Sequence, residues 1–321
     1  MTELRVVPLE AFRDRVSMAV AVAAVERGFR ALAAGEADLP DPLVAELTDR
    51  HAEIHVKGAL LRGDRYVVLK VATGFHENRE RGLPSGDGLF LLLDADTGRP
   101  AWLLEEHGYL TDLRTAAAIA LTLKYLAPRD ATQALLVGAG AVGRLAARAI
   151  IAERPITRLT IWNRTPDRAA ALARELAGVV ETRVAGALDP EVRAHRLIVT
   201  ATASTAPLIF AAAVHPGTHV TSAGTGSPEK VELEPALLAR ADKVVADRVA
   251  QTARYGNLRH AIAAGAMGAD RVYAELGDLA LGRRPGRERE DEITVADLTG
   301  VGVQDAGIAQ AVVAALEGGT P

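Results

Sequence analysis

The stretch ALLVGAGAVGRLAARAI, residues 134–150, combines an apolar strand, a glycine-rich turn and the beginning of a helix. Its glycines, Gly138, Gly140 and Gly143, have the spacing G-x-G-x-x-G. Such a turn lets backbone amides approach a pyrophosphate, and the helix N-terminus adds partial positive charge. The spacing alone is a weak signal, but strand, glycines and helix in this order are the context that the mechanism requires. The stretch predicts a dinucleotide-binding turn; a glycine-rich turn without a ligand is the alternative.

A second stretch, TIWNRTPDR at 160–168, decides which dinucleotide is expected. It ends a predicted strand about 20 residues beyond the last glycine, where a carboxylate would hold the ribose of NAD. Asn163, Arg164 and Thr165 stand there instead, and a guanidinium can pair with a 2′-phosphate. Arg144 is a candidate for a second positive charge. The pattern favours NADPH/NADP over NADH, unless Arg164 lies in an exposed turn and is only solvated.

Around these stretches, strands alternate with alanine-rich helical segments, which predicts a doubly wound parallel sheet over residues 128–296. The predicted strands are QALLVGAG (133–140), RLTIWNR (158–164), RLIVTATAS (196–204), THVTSAG (218–224) and KVVAD (243–247). The predicted cofactor-binding residues are Gly138, Gly140, Ala141, Val142, Gly143, Arg144, Asn163, Arg164, Thr165, Thr200, Thr202 and Ser85.

The region before residue 128 has a different pattern. Residues 15–35 predict an amphipathic helix that ends at Gly35, and residues 110–128 predict a second helix that stops before Pro128. Between them, strand-like segments bounded by turn signals predict an antiparallel sheet. These segments are EIHVKGALL (53–61), YVVLKVATGF (66–75), GLFLLLDADTG (88–98) and PAWLLEE (100–106). A last helix is predicted at about 305–317. The fold class is therefore α/β, with a Rossmann-type domain inserted in a second, α+β domain formed by residues 1–127 and 297–321.

Composition excludes several classes of function. The net charge of −4 gives no reason to expect nucleic-acid or membrane attraction. The chain has no cysteine, which excludes disulfides, thiolate catalysis and cysteine-ligated metal, and we predict no metal site. With no basic segment followed by a long apolar run at the N-terminus, and no apolar stretch of membrane-spanning length, the expected location is the cytoplasm.

Lysine is rare in this chain, with five among 37 basic residues, so a lysine inside an apolar segment is informative. Lys70 lies in YVVLKVATG, where both faces of the predicted strand are apolar. Burying an ammonium is costly unless it is paired, and a desolvated lysine has a lowered pKa suited to proton donation or polarisation of a bound group. Lys70 is therefore the candidate catalytic residue. The alternative is a lysine at a sheet edge whose ammonium reaches solvent.

Two further basic residues are candidates for substrate binding. Thr111 is a good N-cap, which would place Arg114 in the first turn of a helix beside free backbone amides, an arrangement suited to a carboxylate. The alternatives are that Arg114 bends into solvent or is neutralised by Asp112. Lys57, with His55 on the same strand face, is a weaker candidate for a second cationic contact.

Together these residues resemble the ornithine cyclodeaminase/mu-crystallin family, which also contains alanine dehydrogenases and cyclic ketimine reductases. The resemblance covers nearly the whole chain and is carried by VKGALL, LKVATGFHEN, GYLTDLRTAA, VGAGAVG, VTATAS, SAGTGSPEKVEL, VADRVAQ and DLTGVGVQD. It implies a homodimer whose non-Rossmann domain binds substrate and forms the dimer. It also places the family's catalytic lysine on Lys70 and its carboxylate-binding arginine on Arg114. An additional upstream arginine of the family has no clear counterpart, and Lys57 is a possible substitute.

The main departure from the family lies in GTGSPEK, where Gly226 replaces an aspartate that the cyclodeaminases use as acid/base. Mu-crystallin-type reductases, which IWNRT also resembles, lack that aspartate too. The sequence therefore favours an NADP(H)-dependent oxidoreductase that reduces the C=N bond of a small, cyclic or linear 2-imino acid. The alternatives are cyclodeaminase chemistry with bound NAD(P), an alanine-type amino-acid dehydrogenase, and a cofactor-binding protein without activity.

Overall fold

The computed structural model describes residues 4–319, apart from the side chains of His76 and Arg79. The chain divides into two compact units, Met1–Arg114 with Val301–Pro321, and Thr115–Gly300. The first division falls inside the helix predicted at residues 110–128, whereas the predicted domain boundary lies after residue 127. The second falls after Gly300 rather than after residue 296.

The strands are β1 Arg5–Pro8, β2 Ala37–Asp38, β3 Leu43–Leu47, β4 Ala52–Leu61, β5 Tyr66–Phe75, β6 Gly86–Asp94, β7 Pro100–Glu105, β8 Gln133–Val137, β9 Arg158–Trp162, β10 Glu181–Val184, β11 Leu197–Thr200, β12 Thr205–Ile209, β13 His219–Ser222, β14 Val231–Leu233, β15 Lys243–Ala246, β16 Ala274–Glu275 and β17 Thr294–Asp297. The α-helices are α1 Met18–Ala34, α2 Tyr109–Leu126, α3 Ala141–Glu153, α4 Pro166–Glu175, α5 Asp189–Ala194, α6 Pro235–Arg240, α7 Val249–Tyr255, α8 Asn257–Ala263, α9 Leu276–Ala280 and α10 Gly302–Leu316. Short 3-10 helices lie at Leu9–Ala11, Thr48–Arg50, His76–Arg81, Ala211–Ala213 and Ala269–Arg271.

The first unit contains a seven-stranded sheet of order β1-β7-β6-β5-β4-β2, with β3 also paired to β4. The predicted antiparallel pairing is confirmed for β4 with β5, for β5 with β6 and for β6 with β7. Strand β1 pairs with β7 in parallel. Because β5 lies between β4 and β6, a residue in its middle is surrounded on both sides by backbone. The sheet therefore holds the middle of β5 away from solvent.

Helices α1 and α10 cover this sheet and approach each other closely through glycines. A Cβ at Gly28 would lie 2.4 Å from the carbonyl oxygen of Val303, and one at Gly307 would lie 2.4 Å from that of Ala24. Helix α1 begins after Ser17, whose side chain accepts from Val20 N, and ends at a left-handed Gly35, as predicted. The close packing fixes the position of α10 over β4 and β5.

The second unit contains an eight-stranded sheet of order β10-β9-β8-β11-β13-β17-β15-β16, in which every pairing is parallel. The chain runs outward from β8 to β10 and then returns to place β11 on the other side of β8. This reversal makes the carboxyl ends of β8 and β11 a topological switch point, where open parallel sheets bind ligands. The predicted Rossmann-type fold is confirmed. Strand β17, which lies between β13 and β15 and is fully buried, was not among the predicted strands.

The core of the second unit is built from the apolar strand residues that the sequence pattern indicated. It includes Leu135, Val137, Ile198, Val220 and Val295, with Trp162 packed against it. Among the described residues, no helix is both long and apolar enough to cross a membrane.

Candidate active site

A buried group of charges lies in the first unit, where β5, α2 and α10 meet. Lys70 is 2 % exposed on the central strand β5, and its Nζ lies 3.1 Å from Oδ1 of Asp305 on α10. Burial lowers the pKa of Lys70 although Asp305 opposes the shift. The predicted desolvation of Lys70 is confirmed, and the alternative of a lysine at a sheet edge is wrong.

Arg114 approaches the same carboxylate from α2. Its Nε lies 3.0 Å from Asp305 Oδ1, and its Nη1 donates to Gln304 Oε1 at 2.7 Å. Burial alone would raise the pKa of Asp305, but the adjacent Lys70 and Arg114 outweigh it and hold that pKa below its usual value. Two buried cations therefore share one buried carboxylate. The alternatives in which Arg114 reaches solvent or is neutralised by Asp112 are both wrong.

The local start of α2 differs from the sequence analysis. The helix begins at Tyr109, so Thr111 is inside it and Arg114 is beyond its first turn. The free amides are satisfied instead by Glu106, whose Oε2 accepts from Leu110 N and Thr111 N at 2.7 and 3.2 Å. Oε1 of the same carboxylate accepts from the Thr111 hydroxyl at 3.0 Å. Arg114 is therefore oriented by α10 rather than by a helix end.

Three buried polar atoms around Asp305 make no hydrogen bond with a described residue. They are Arg114 Nε, which has ion-pair contact only, Gln304 Nε2 and Asp305 Oδ2. Buried polar groups are almost always satisfied, so a cluster of unsatisfied ones beside a surplus cation indicates a place for a polar ligand. A small anion with a donor-acceptor group fits this arrangement.

Lys57 lies on the same sheet, directly opposite Lys70 in the register of β4 and β5. Its charge contributes to the lowered pKa of Asp305. Because residues paired across an antiparallel ladder share a face, Lys57 adds positive charge on the Lys70 side of the sheet. Its role in substrate binding stays a prediction.

In the second unit, the glycine-rich turn has the geometry of a pyrophosphate cradle. A Cβ at Gly138 would lie 2.4 Å from the carbonyl oxygen of Ala201, and one at Gly143 would lie 2.2 Å from that of Gly138. A Cβ at Gly140 would meet nothing within 4 Å, so the space beside it is open. Helix α3 begins directly after Gly140, and the amides of Ala141 and Val142 open its first turn. The turn thus fits a dinucleotide phosphate.

Residues 163–165 follow β9 beside this turn, and their side chains divide into two roles. Asn163 turns inward: its Oδ1 accepts from Ala139 N at 3.1 Å and its Nδ2 donates to Thr165 O at 2.9 Å. The amide of Asn163 therefore fixes the glycine turn, and its contact with a cofactor stays a prediction. Arg164 is exposed and makes no hydrogen bond or ion pair with another described residue. Arg144 instead pairs with Glu175, which makes it a poorer candidate for phosphate binding.

Thr200 and Thr202, at the end of β11, bind a buried carboxylate that was not among the predicted site residues. The Thr200 hydroxyl donates to Glu232 Oε2, and the backbone and hydroxyl of Thr202 donate to Oε1, each at 2.7 Å. Glu232 also accepts from Ser222 and from Gly224 N. Glu232 therefore ties the ends of β11 and β13 together. Contact of either threonine with a cofactor stays a prediction.

Ser85 lies just before β6 in the first unit, where its carbonyl accepts from Phe75 N at 2.7 Å. Its cofactor role also stays a prediction. Asp305, Gln304 and Glu106, like Glu232, were not among the predicted site residues. The signal for Asp305 was an acid inside the otherwise apolar helix GVQDAGIAQAVVAAL.

The parallel sheet, its switch point and the glycine turn define a dinucleotide-binding protein of Rossmann type that carries a second, α+β unit. The sequence profile of the ornithine cyclodeaminase/mu-crystallin family matches residues 6–320, so the chain belongs to that family. The resemblance seen in the sequence motifs is confirmed.

Individual relatives are similar over most of their length. An uncharacterized cyclodeaminase of Sinorhizobium fredii is 42% identical over 90% of this chain and 88% of the relative. The structure of Thermococcus litoralis Δ1-pyrroline-2-carboxylate reductase with NADH and L-proline superposes with a TM-score of 0.92 at 27% identity, covering 98% of both chains. The iminosuccinate reductase of Paracoccus denitrificans with NAD⁺ superposes with a TM-score of 0.89 at 33% identity, covering 98% of this chain and 96% of that one.

Proposed function

We propose that this chain is an NADP(H)-dependent oxidoreductase that reduces the C=N bond of a small, cyclic or linear 2-imino acid. The observation that carries the proposal is the buried Lys70–Asp305–Arg114 group, with a surplus positive charge and unsatisfied polar atoms around it. Two relatives support the reaction class, since both solved reductases act on imino acids by their names and hold NADH or NAD⁺.

The residues of the first unit have distinct tasks in this proposal. Arg114 pairs with the substrate carboxylate, for which a guanidinium offers parallel donors in a fixed plane. Lys70 polarises the imine or donates a proton near it, because a desolvated ammonium interacts strongly with an adjacent nitrogen. Asp305 keeps both cations in place while leaving net positive charge for the substrate. The bound nicotinamide supplies the hydride.

The choice of NADP(H) within this proposal depends on Arg164, the exposed guanidinium at the end of β9. We also propose a homodimer, as the family resemblance implies, located in the cytoplasm. A screen of cyclic and linear 2-imino acids, read as loss of NADPH absorbance, tests the proposal. Turnover of none of them would overturn it, whereas NADPH bound without any turnover would identify a cofactor-binding protein without activity.

Replacing Arg164 by alanine should remove most of the preference for NADPH over NADH. A charge-assisted hydrogen bond contributes about 1.5–3 kcal/mol, so NADPH affinity should fall about 10- to 150-fold while NADH affinity changes little. Fluorescence titration of both cofactors measures this. Arg158→Ala is the matched control, since Arg158 begins the same strand and pairs with Glu181. Equal affinities of the unaltered protein for the two cofactors would disprove the 2′-phosphate site.

Position 226 offers a test against cyclodeaminase chemistry. A Cβ at Gly226 would meet only Thr299 O at 4.0 Å, so an aspartate has room there without disturbing the fold. We expect the unaltered protein to release little ammonia from ornithine with NAD(P)⁺, and Gly226→Asp to release more. Glu229 is the other nearby acid, but it accepts from the Ser227 hydroxyl. Ammonia and NADPH are measured in parallel, and robust proline formation by the unaltered protein would make cyclodeaminase chemistry the better assignment.

A further inference from the structure

The carboxyl ends of β11 and β13 meet a buried carboxylate that has no task in the proposed reaction. Glu232, on β14, is fully buried and accepts five hydrogen bonds. Four of them, each at 2.7 Å, come from the Thr200 hydroxyl, the Ser222 hydroxyl, and the amide and hydroxyl of Thr202. The fifth comes from Gly224 N at 2.9 Å. One side chain therefore fixes the ends of two adjacent strands and the residues that follow them.

The way in which Glu232 is satisfied indicates what it contributes. All five donors are neutral, and Glu232 forms no ion pair with a described residue. Burying a carboxylate is costly unless it is hydrogen-bonded, and apolar packing would join two strand ends without that cost. The carboxylate adds direction, because Oε1 holds the amide of Thr202 and Oε2 holds the amide of Gly224. Glu232 therefore sets the course of the chain after both strands.

The loop after β11 lies directly against the glycine turn. A Cβ at Gly138 would overlap the carbonyl oxygen of Ala201 and would lie 3.1 Å from Thr202 Cγ2. A Cβ at Gly224 would overlap the carbonyl oxygen of Thr202, so the loops after β11 and β13 also touch each other. The peptide group between Ala201 and Thr202 thus has its N–H on Glu232 and its C=O against the glycine turn.

The position of these loops on the sheet indicates which part of a dinucleotide they adjoin. In a doubly wound sheet, the two halves of a dinucleotide bind on opposite sides of the switch point. Strands β8 and β9, with the glycine turn and Arg164, form the side proposed for the adenosine 2′-phosphate. Strands β11 and β13 continue the sheet on the other side of β8. The loops that Glu232 holds therefore correspond to the nicotinamide half.

Asn257, the first residue of α8, holds Glu232 from its backbone. Its Oδ1 accepts from Glu232 N and from Leu233 N, both at 2.9 Å, and its Nδ2 donates to Ser222 Oγ at 2.8 Å. The carboxylate is thus fixed by its own main chain and by the surrounding donors without any ligand. A loop that is ordered in advance loses less conformational entropy when a ligand binds to it.

We propose that Glu232 is a positioning residue that shapes the nicotinamide half of the cofactor site. It acts through the backbone of Thr202 and Gly224, which borders the nicotinamide ribose and ring, and it does not itself touch the reacting atoms. The inference rests on the proposed function for the cofactor only and is independent of the substrate.

Glu232→Gln tests this role because a glutamine cannot satisfy the same donors. The hydroxyls of Thr200 and Ser222 can turn and accept from an amide nitrogen, but a backbone N–H cannot. In either orientation, the glutamine Nε2 therefore faces Thr202 N or Gly224 N and leaves that amide unpaired. Since a buried unpaired amide is costly, NADPH affinity should fall about tenfold or more. Affinity for adenosine 2′,5′-bisphosphate, which is the adenosine half alone, should stay within about threefold, as for separate sites.

Both affinities are measured without turnover, by fluorescence titration for NADPH and by calorimetry for adenosine 2′,5′-bisphosphate. The emission of bound NADPH reports on the nicotinamide ring itself, and its maximum in Glu232→Gln should lie closer to that of free NADPH. Glu234→Gln is the matched control. Glu234 lies two residues along the chain and accepts from Ala211 N, outside the two loops, so neither affinity should change.

Ser222→Ala is a milder second variant, which carries the test if Glu232→Gln does not fold. It removes one hydroxyl donor to Glu232 and leaves both backbone amides paired. We expect NADPH affinity to fall about threefold, with unchanged binding of adenosine 2′,5′-bisphosphate. Unchanged NADPH affinity in a folded Glu232→Gln, or in Ser222→Ala when Glu232→Gln is unfolded, would overturn the assignment.

The pattern of loss separates positioning from general damage. Weaker NADPH binding with an intact adenosine half supports the role of Glu232, whereas equal loss for both ligands would make Glu232 a purely structural residue and overturn it. If the unaltered protein binds NADPH but reduces no 2-imino acid, the proposed reaction fails while the role of Glu232 is still decided by these affinities. If the protein prefers NADH, the same comparison is made with NADH and 5′-AMP. A protein that binds neither dinucleotide would overturn both proposals.

Discussion

Replacing Arg114 by alanine is expected to raise the KM for 2-imino acids at least ~30-fold and to leave NADPH affinity nearly unchanged. Arg114 is buried, and truncating one partner of a buried charge pair costs about 2 kcal/mol or more, with tenfold for each 1.4 kcal/mol. Steady-state kinetics at fixed, saturating NADPH measure the change. The effect should be confined to substrates with a carboxylate, because the guanidinium acts on that group.

Two variants separate substrate binding from structural damage. Arg114→Lys keeps the charge near Asp305 but loses the planar pair of donors, so we expect an intermediate KM. Arg27→Ala removes an exposed arginine that pairs with Asp64 in the same unit, and KM should not change. If the unaltered enzyme reduces substrates without a carboxylate just as well, Arg114 does not bind the substrate carboxylate.

Much of the fold follows from local sequence pattern. The glycine turn depends on three spaced glycines between a strand and a helix, and all of its determinants lie within 17 consecutive residues. The burial of Lys70 also follows locally, because the neighbours of Lys70 on both faces of β5 are apolar. Neither conclusion requires knowledge of a distant residue.

The candidate active site could be predicted only in part because its partners are distant in sequence. Asp305 is 235 residues from Lys70, and Gln304 is 190 residues from Arg114. No spacing rule connects such pairs; they meet because α10 packs on the sheet. Asp305 lies in the otherwise apolar helix α10, which is a local signal for a buried carboxylate, but this signal names neither of the two cations that Asp305 binds.

Side-chain direction is the other limit. An asparagine beside a glycine turn is equally suited to bind a ligand or to fix the turn, and Asn163 does the second. Thr111 has the residue type of an N-cap, but Glu106 satisfies the amides from before the helix and the helix begins earlier. In both cases a hydrogen bond decides what the side chain does: Asn163 binds Ala139 N, and Glu106 takes the place of Thr111 at the helix start. The sequence pattern does not show which residue is the partner in either bond.

Replacing Lys70 by methionine is expected to lower kcat about 100- to 10,000-fold, the contribution of a positioned acid/base or polarising group. Methionine keeps the apolar stem of the lysine, and Asp305 retains Arg114, so the protein should fold and bind NADPH.

Lys70→Arg discriminates between the two roles of Lys70, since a guanidinium keeps the ion pair with Asp305 but does not give up a proton. If Lys70 only polarises the imine, Lys70→Arg should retain more of kcat than Lys70→Met. Lys124→Met, an exposed change, is the control for losing a lysine. Equal loss in the two Lys70 variants, with cofactor affinity and Tm preserved in both, would make Lys70 itself the proton donor.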